Sequence, residues 1–185
     1  TCFDFHDTQT TGFLAGRHGM RIAAGLSPMQ PGDALLPMKS DAAHRELTCE
    51  SCHPAHDYST ATAAVDACLS CHDDEHSLAY IGTKHHQLLQ QGSPQGVSCA
   101  TCHMPRVEHT VDGQTVVSVD HNQNDYLQPN EKMIRPVCLD CHGLPFSVDA
   151  LFDAETIRRG VDGIPPHTNT STDMVREKHE RRKRR

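Results

Sequence analysis

The sequence predicts a mostly α and irregular fold, low in regular secondary structure, with one short β-hairpin and a core that side chains do not supply. Three observations predict it. Only 36% of the 185 residues are hydrophobic and 4% aromatic, and Trp is absent. Against this stand 9 Cys and 15 His. The clear strand signal is a single one: Val107–Val111 and Thr115–Val119 flank Asp112-Gly113, a favoured two-residue hairpin turn. A chain of this length could bury an ordinary apolar core. With so few large apolar side chains, it must instead be held by disulfides, metal sites or cofactors.

Taken in order, residues 1–40 read as an N-terminal arm, with Pro28, Pro31, Gly32 and Pro37 making 27–39 a loop or extended stretch. Thr60–Leu69 is Ala-rich and predicts a helix that delivers Cys68 at its end. Leu78–Gln91 predicts another, with Leu78, Ile81, His85, Leu88 and Leu89 sharing a face. Residues 147–159 predict a third, with Val148, Leu151, Phe152 and Ile157 inward and Gly160 as its stop. Residues 41–164 form the body. Residues 165–185 read as a polar, then basic, extended or disordered tail.

Charge is unevenly spread. Residues 176–185 hold seven Lys or Arg and two Glu, leaving ten basic and 22 acidic residues in 1–175. So acidic a body is a poor nucleic-acid binder. The tail suits an acidic surface: another copy of the chain, a redox partner or an anionic membrane. No run has the length of a transmembrane span.

Four pentapeptides decide the chemistry: Cys49-Glu-Ser-Cys52-His53, Cys68-Leu-Ser-Cys71-His72, Cys99-Ala-Thr-Cys102-His103 and Cys138-Leu-Asp-Cys141-His142. A lone Cys-x-x-Cys could be half a zinc site or a redox pair. Neither requires His at the next position, and here all four carry it. Cys-x-x-Cys-His is the c-type haem signature: two thiols add to the two vinyl groups of one haem, and the His becomes the proximal iron ligand. The fold is therefore expected to be haem-cored, with four covalent haems c. The ninth cysteine lies in Cys2-Phe3-Asp4-Phe5-His6, the same pattern with Phe5 in place of the second Cys. It reads as a degenerate fifth site ligated by His6, as a surface Cys, or as a partner in an intermolecular disulfide.

Eleven His remain for the distal side, and two His per iron make a closed site suited to electron transfer. His121, projected by the hairpin, His85 on its helix face and His44, five residues before Cys49, are the leading distal candidates. His18, between Gly16 and Gly19, and His56, just after His53, follow; His44 and His56 sit too near their own motif and would reach a neighbouring haem. His86 lies a third of a turn from His85. His76, in an acidic run, reads as solvated, and His109, His167 and His179 read as surface residues.

Cys99-Ala-Thr-Cys102-His103-Met104-Pro105-Arg106, the hairpin and Asp120-His121 together resemble a segment of pentahaem nitrite reductases and related octahaem enzymes. That resemblance implies that His121 is a distal ligand. The pattern from His44 through His53 to His56 resembles doubled-motif multihaem electron carriers. Together the two resemblances cover about half of the chain. The nitrite reductases carry Cys-x-x-Cys-Lys at the catalytic haem, a motif this sequence lacks, and are longer. The resemblance thus favours electron transfer over catalysis. Short tetrahaem cytochromes of similar size include subunits that polymerise into extracellular filaments, which implies a homo-oligomer or filament as one assembly open to this chain.

The expectation is a periplasmic or extracellular electron carrier, exported with its leader removed, passing electrons among closely spaced haems and redox partner proteins. The rival is a redox enzyme acting on a small nitrogen or sulfur compound at an open haem.

Overall fold

A computed structural model gives the fold; it describes residues 2–53, 55, 61–127, 129–163, 177 and 180–184. His56, His167 and His179, and most of the tail, lie outside the described residues.

Short helices dominate. In chain order they are α1 (Asp7–Ala15), α2 (Met20–Ala23), α3 (Ala61–Ala64), α4 (Asp66–Leu69), α5 (Glu75–Ala79), α6 (Lys84–Gln90), α7 (Cys99–His103), α8 (Asn124–Leu127), α9 (Leu144–Phe152) and α10 (Ala154–Arg158). Single 3₁₀ turns punctuate them, among them Cys49–Ser51 and Cys138–Asp140. The strands β1 (Arg106–Val111) and β2 (Gln114–Val119) pair antiparallel, Arg106 opposite Val119 and Val111 opposite Gln114. Asp112 and Gly113 both take positive φ, 50° and 77°. This is the backbone a two-residue hairpin loop needs to match strand twist.

Each longer helix expected from the sequence is divided, and caps explain two of the breaks. Leu78–Gln91 is interrupted at Thr83, which is extended (φ −71°, ψ 159°) and 1% exposed. Its hydroxyl accepts from the His86 amide at 3.2 Å and donates to the Tyr80 carbonyl at 2.7 Å. A β-branched hydroxyl residue stabilises more as an N-cap than in a helix interior. The break turns the expected face: Leu78 and Ile81 are exposed, and His86 is buried while His85 is half-buried. Likewise 147–159 is split by Asp153, whose carboxylate accepts from the Thr156 amide at 2.6 Å. The second piece ends before Gly160, at φ 70°. The 60–69 segment breaks at Val65.

The apolar core is small. Among the described residues the buried hydrophobic side chains are Phe13, Ala42, Val65, Tyr80, Tyr126, Met133, Ala150 and Leu151. Tyr126, Met133 and Leu151 cluster, and Cys102 and Cys138 pack against them beside Val107, Ile134 and Val137. Two cysteines from different Cys-x-x-Cys-His motifs therefore border this apolar cluster.

The N-terminal segment lies against the residues that follow the hairpin. A Cβ on Gly12 would sit 3.2 Å from the His121 amide nitrogen, and one on Gly16 would sit 2.5 Å from Gln123 Oε1. Asn124 Nδ2 donates to the Ala15 carbonyl at 2.9 Å. Two glycines four residues apart on α1 and its cap let the backbones meet.

Candidate metal centres

Each Cys-x-x-Cys-His motif lies on a helical or 3₁₀ turn. In α7, Cys99 and His103 are one turn apart on one face. The same closure recurs where the His72 amide donates to the Cys68 carbonyl at 2.9 Å and the His142 amide to the Cys138 carbonyl at 2.8 Å. A turn thus sets the first thiol and the imidazole on one side, the arrangement a haem edge and its iron require. The α7 motif is fixed by a reciprocal cap: Thr101 N donates to Ser98 Oγ at 3.1 Å, and Ser98 N to Thr101 Oγ1 at 3.0 Å. The His72 motif is pinned by Lys39 N donating to the Cys71 carbonyl at 2.8 Å and by a backbone bridge from Met38 to His72.

Three of the motif histidines face a second imidazole at nearly constant spacing. Ring centres are 6.4 Å apart for His18 and His72, 6.1 Å for His76 and His103, and 6.1 Å for His85 and His142. Direct ring stacking is closer, as in His142 on Phe146 at 4.7 Å. Two imidazoles bound trans to one metal, at about 2 Å per bond, have ring centres about 6 Å apart. The fourth, His53, lies within electrostatic reach of His121.

The donor chemistry fits the same group. His76 donates from Nδ1 to the Ile157 carbonyl at 2.6 Å, and His121 from Nδ1 to the Val119 carbonyl at 3.0 Å. Each bond fixes the tautomer and leaves Nε2 as the free lone pair, as metal-ligating histidines require. Burial lowers the pKa of His18 to about 4, with His72 adding to the effect, and of His103 to about 4, with His76 and His72 adding. Burial also lowers His85 and His121, the latter against its bond to Val119. All four stay neutral near pH 7, the form that binds metal. His103 Nδ1 is buried with no protein partner.

No two of the nine cysteines form a disulfide. Burial pushes Cys52 up to about 11, with Cys68 and Cys71 contributing, and Cys102 up to about 12, with Cys138 contributing. Cys68 is raised, first by its hydrogen bond with Cys99 and then by burial, while that same bond lowers Cys99. Cysteines of the first and second, second and third, and third and fourth motifs thus stand near one another. Between the first two motifs lies an open groove of about 320 Å³, lined by residues that include Arg45, Thr48, Ser51 and Cys71.

The remaining expected site residues fall as follows. Cys2 is exposed but close enough to Cys49 to hydrogen-bond, and His6 is exposed within electrostatic reach of His121. His44 is exposed, and among the described residues no motif histidine stands opposite it. His76 is the residue that sequence reasoning passed over. Its signal was Asp74-x-x-Ser77, an N-cap pattern that starts a helix at Glu75 and turns His76 out of the acidic run. The four residues His18, His76, His85 and His121 thus stand towards the four motif histidines. Compared with protein families, curated proteins and solved structures, the chain matches none.

Proposed function

We propose that the chain is a multihaem c-type cytochrome that transfers electrons, carrying one haem at each Cys-x-x-Cys-His motif. The observation that carries this reading is the 6.1–6.4 Å spacing of three His–His ring pairs, each pairing a motif histidine with a distant one. His72 and His18, His103 and His76, His142 and His85, and His53 and His121 would hold the four irons. When bound, haem supplies a one-electron ferric/ferrous couple. The residues do the rest. Paired cysteines would hold each group covalently, a motif imidazole and a second imidazole would both ligate its iron, and the Nδ1 bonds of His76 and His121 keep those rings aimed. Iron held by two histidines would favour electron transfer over substrate chemistry. The adjacency of successive motifs would give electrons a continuous path along the chain. Covalent attachment of this kind belongs outside the cytoplasm, so the proposed setting is periplasmic or extracellular, with redox proteins or further copies as partners.

Intact-protein mass spectrometry tests this. Four haem increments are expected, and a fifth that disappears in Cys2→Ser would establish the degenerate site. A colourless, zinc-loaded or disulfide-bonded product would overturn the reading. A high-spin signal from the native protein would favour the enzyme instead.

A further inference from the structure

Resting on that reading, we infer that Asp74 is a positioning residue that holds the redox couple of the haem at His72 below its value without that carboxylate. His72 Nδ1 stands 3.6 Å from Asp74 Oδ2, in ion-pair range. The carboxylate is held in place: Oδ1 accepts from the Ser77 amide at 3.1 Å and Oδ2 from the Ser77 hydroxyl at 2.7 Å. Its side chain is 15% exposed and that of His72 28%, so water screens the pair only partly. His72 is equally fixed, bridged to Met38 on one side and ring-paired with His18 on the other.

An anion beside the outer nitrogen of a ligating imidazole raises the ligand's basicity and stabilises the more positive metal. Ferric iron at this position is therefore favoured over ferrous. The neighbouring motif provides the contrast. His103 Nδ1 is buried with no hydrogen-bond partner, and Asp74 reaches that ring only through space. His142 instead stacks on Phe146. The sequence Cys71-His72-Asp73-Asp74 thus sets one potential apart in a row of otherwise similar sites.

The test is spectroelectrochemical titration of the full haem-loaded chain, with the electrode supplying single electrons. Asp74→Asn removes the charge but keeps an N-cap of equal rank. One couple should move positive by about 59 mV, a tenfold change in the ferric/ferrous ratio. It should be the couple that His18→Met also moves, and every other couple should move less. Asp73→Asn, which removes an equal charge from the exposed neighbouring position, should move that couple less than Asp74→Asn does. If Asp74→Asn moves no couple, moves a different one more, or is matched by Asp73→Asn, the inference fails. A preparation with no haem couples at all would instead sink the functional reading beneath it.

Discussion

Two histidines, His44 and His76, have opposite fates here. His76 sits in the first turn of α5, its Nδ1 tied to Ile157 and its ring 6.1 Å from that of His103. His44 faces outward. On the proposed reading, replacing His76 by Ala should therefore remove the low-spin signature of one haem, leaving a high-spin feature in the visible and electron-paramagnetic spectra. His44→Ala should leave the spectra unchanged. The four Cys-x-x-Cys-His motifs were legible at once, because each occupies five consecutive positions. The histidines that stand towards them were less so. A facing imidazole needs no local pattern, only delivery to the right place, and that depends on segments far apart in sequence. His121 could be singled out because a hairpin precedes it, and His18 because flanking glycines allow close approach; a Cβ on Gly19 would lie 2.3 Å from the Phe13 carbonyl oxygen. His76 was hidden because a run of acids suggests solvent unless Asp74 is seen as a cap.

Short elements make up this fold, and caps set their lengths more than periodicity does. The apolar spacing of Leu78–Gln91 suggests one helix. Thr83 withdraws from it, because its hydroxyl can satisfy the His86 amide and the Tyr80 carbonyl together. The hairpin was the element most fully legible, since Asp112-Gly113 names its own turn and the alternation on either side names the strands. Gly113→Val should strain the positive-φ position and destabilise the protein by about 1–2 kcal/mol, measured by denaturant unfolding of the haem-loaded form. On the proposed reading that loss should be accompanied by weakened binding of His121 to its iron, since β2 leads directly into the Asp120 that accepts from the Asn122 amide at 2.8 Å and from Tyr126 Oη at 2.8 Å. Further along the chain, α10 clamps α5: the Ile157 carbonyl accepts a hydrogen bond from His76 Nδ1 and Arg158 pairs with Glu75. One helix that carries no motif cysteine thereby orients the histidine that faces His103.

For the molecule as a whole, the eight buried hydrophobic residues found among those described include two alanines. Such an interior does not match the ordering cost of a chain this long. On the proposed reading the prosthetic groups supply the missing apolar volume. Polypeptide made without haem attachment should then lose its native helical circular dichroism and become sensitive to limited proteolysis, while the loaded form resists both. The mostly helical and irregular class could be foreseen from composition. The packing of α1 onto residues 120–124 could not, since a 1–40 segment without an intact motif reads as a detached arm until Gly12 and Gly16 are seen against His121 and Gln123.

The crosswise pairing of imidazoles has a temporal consequence. On the proposed reading, a polypeptide exported from its amino end would present Cys49 and Cys52 long before residue 121 emerges. His53 would then wait for His121 until the hairpin follows. A chain truncated before residue 121 should thus accept an added ligand such as carbon monoxide at its first motif, where the full chain does not.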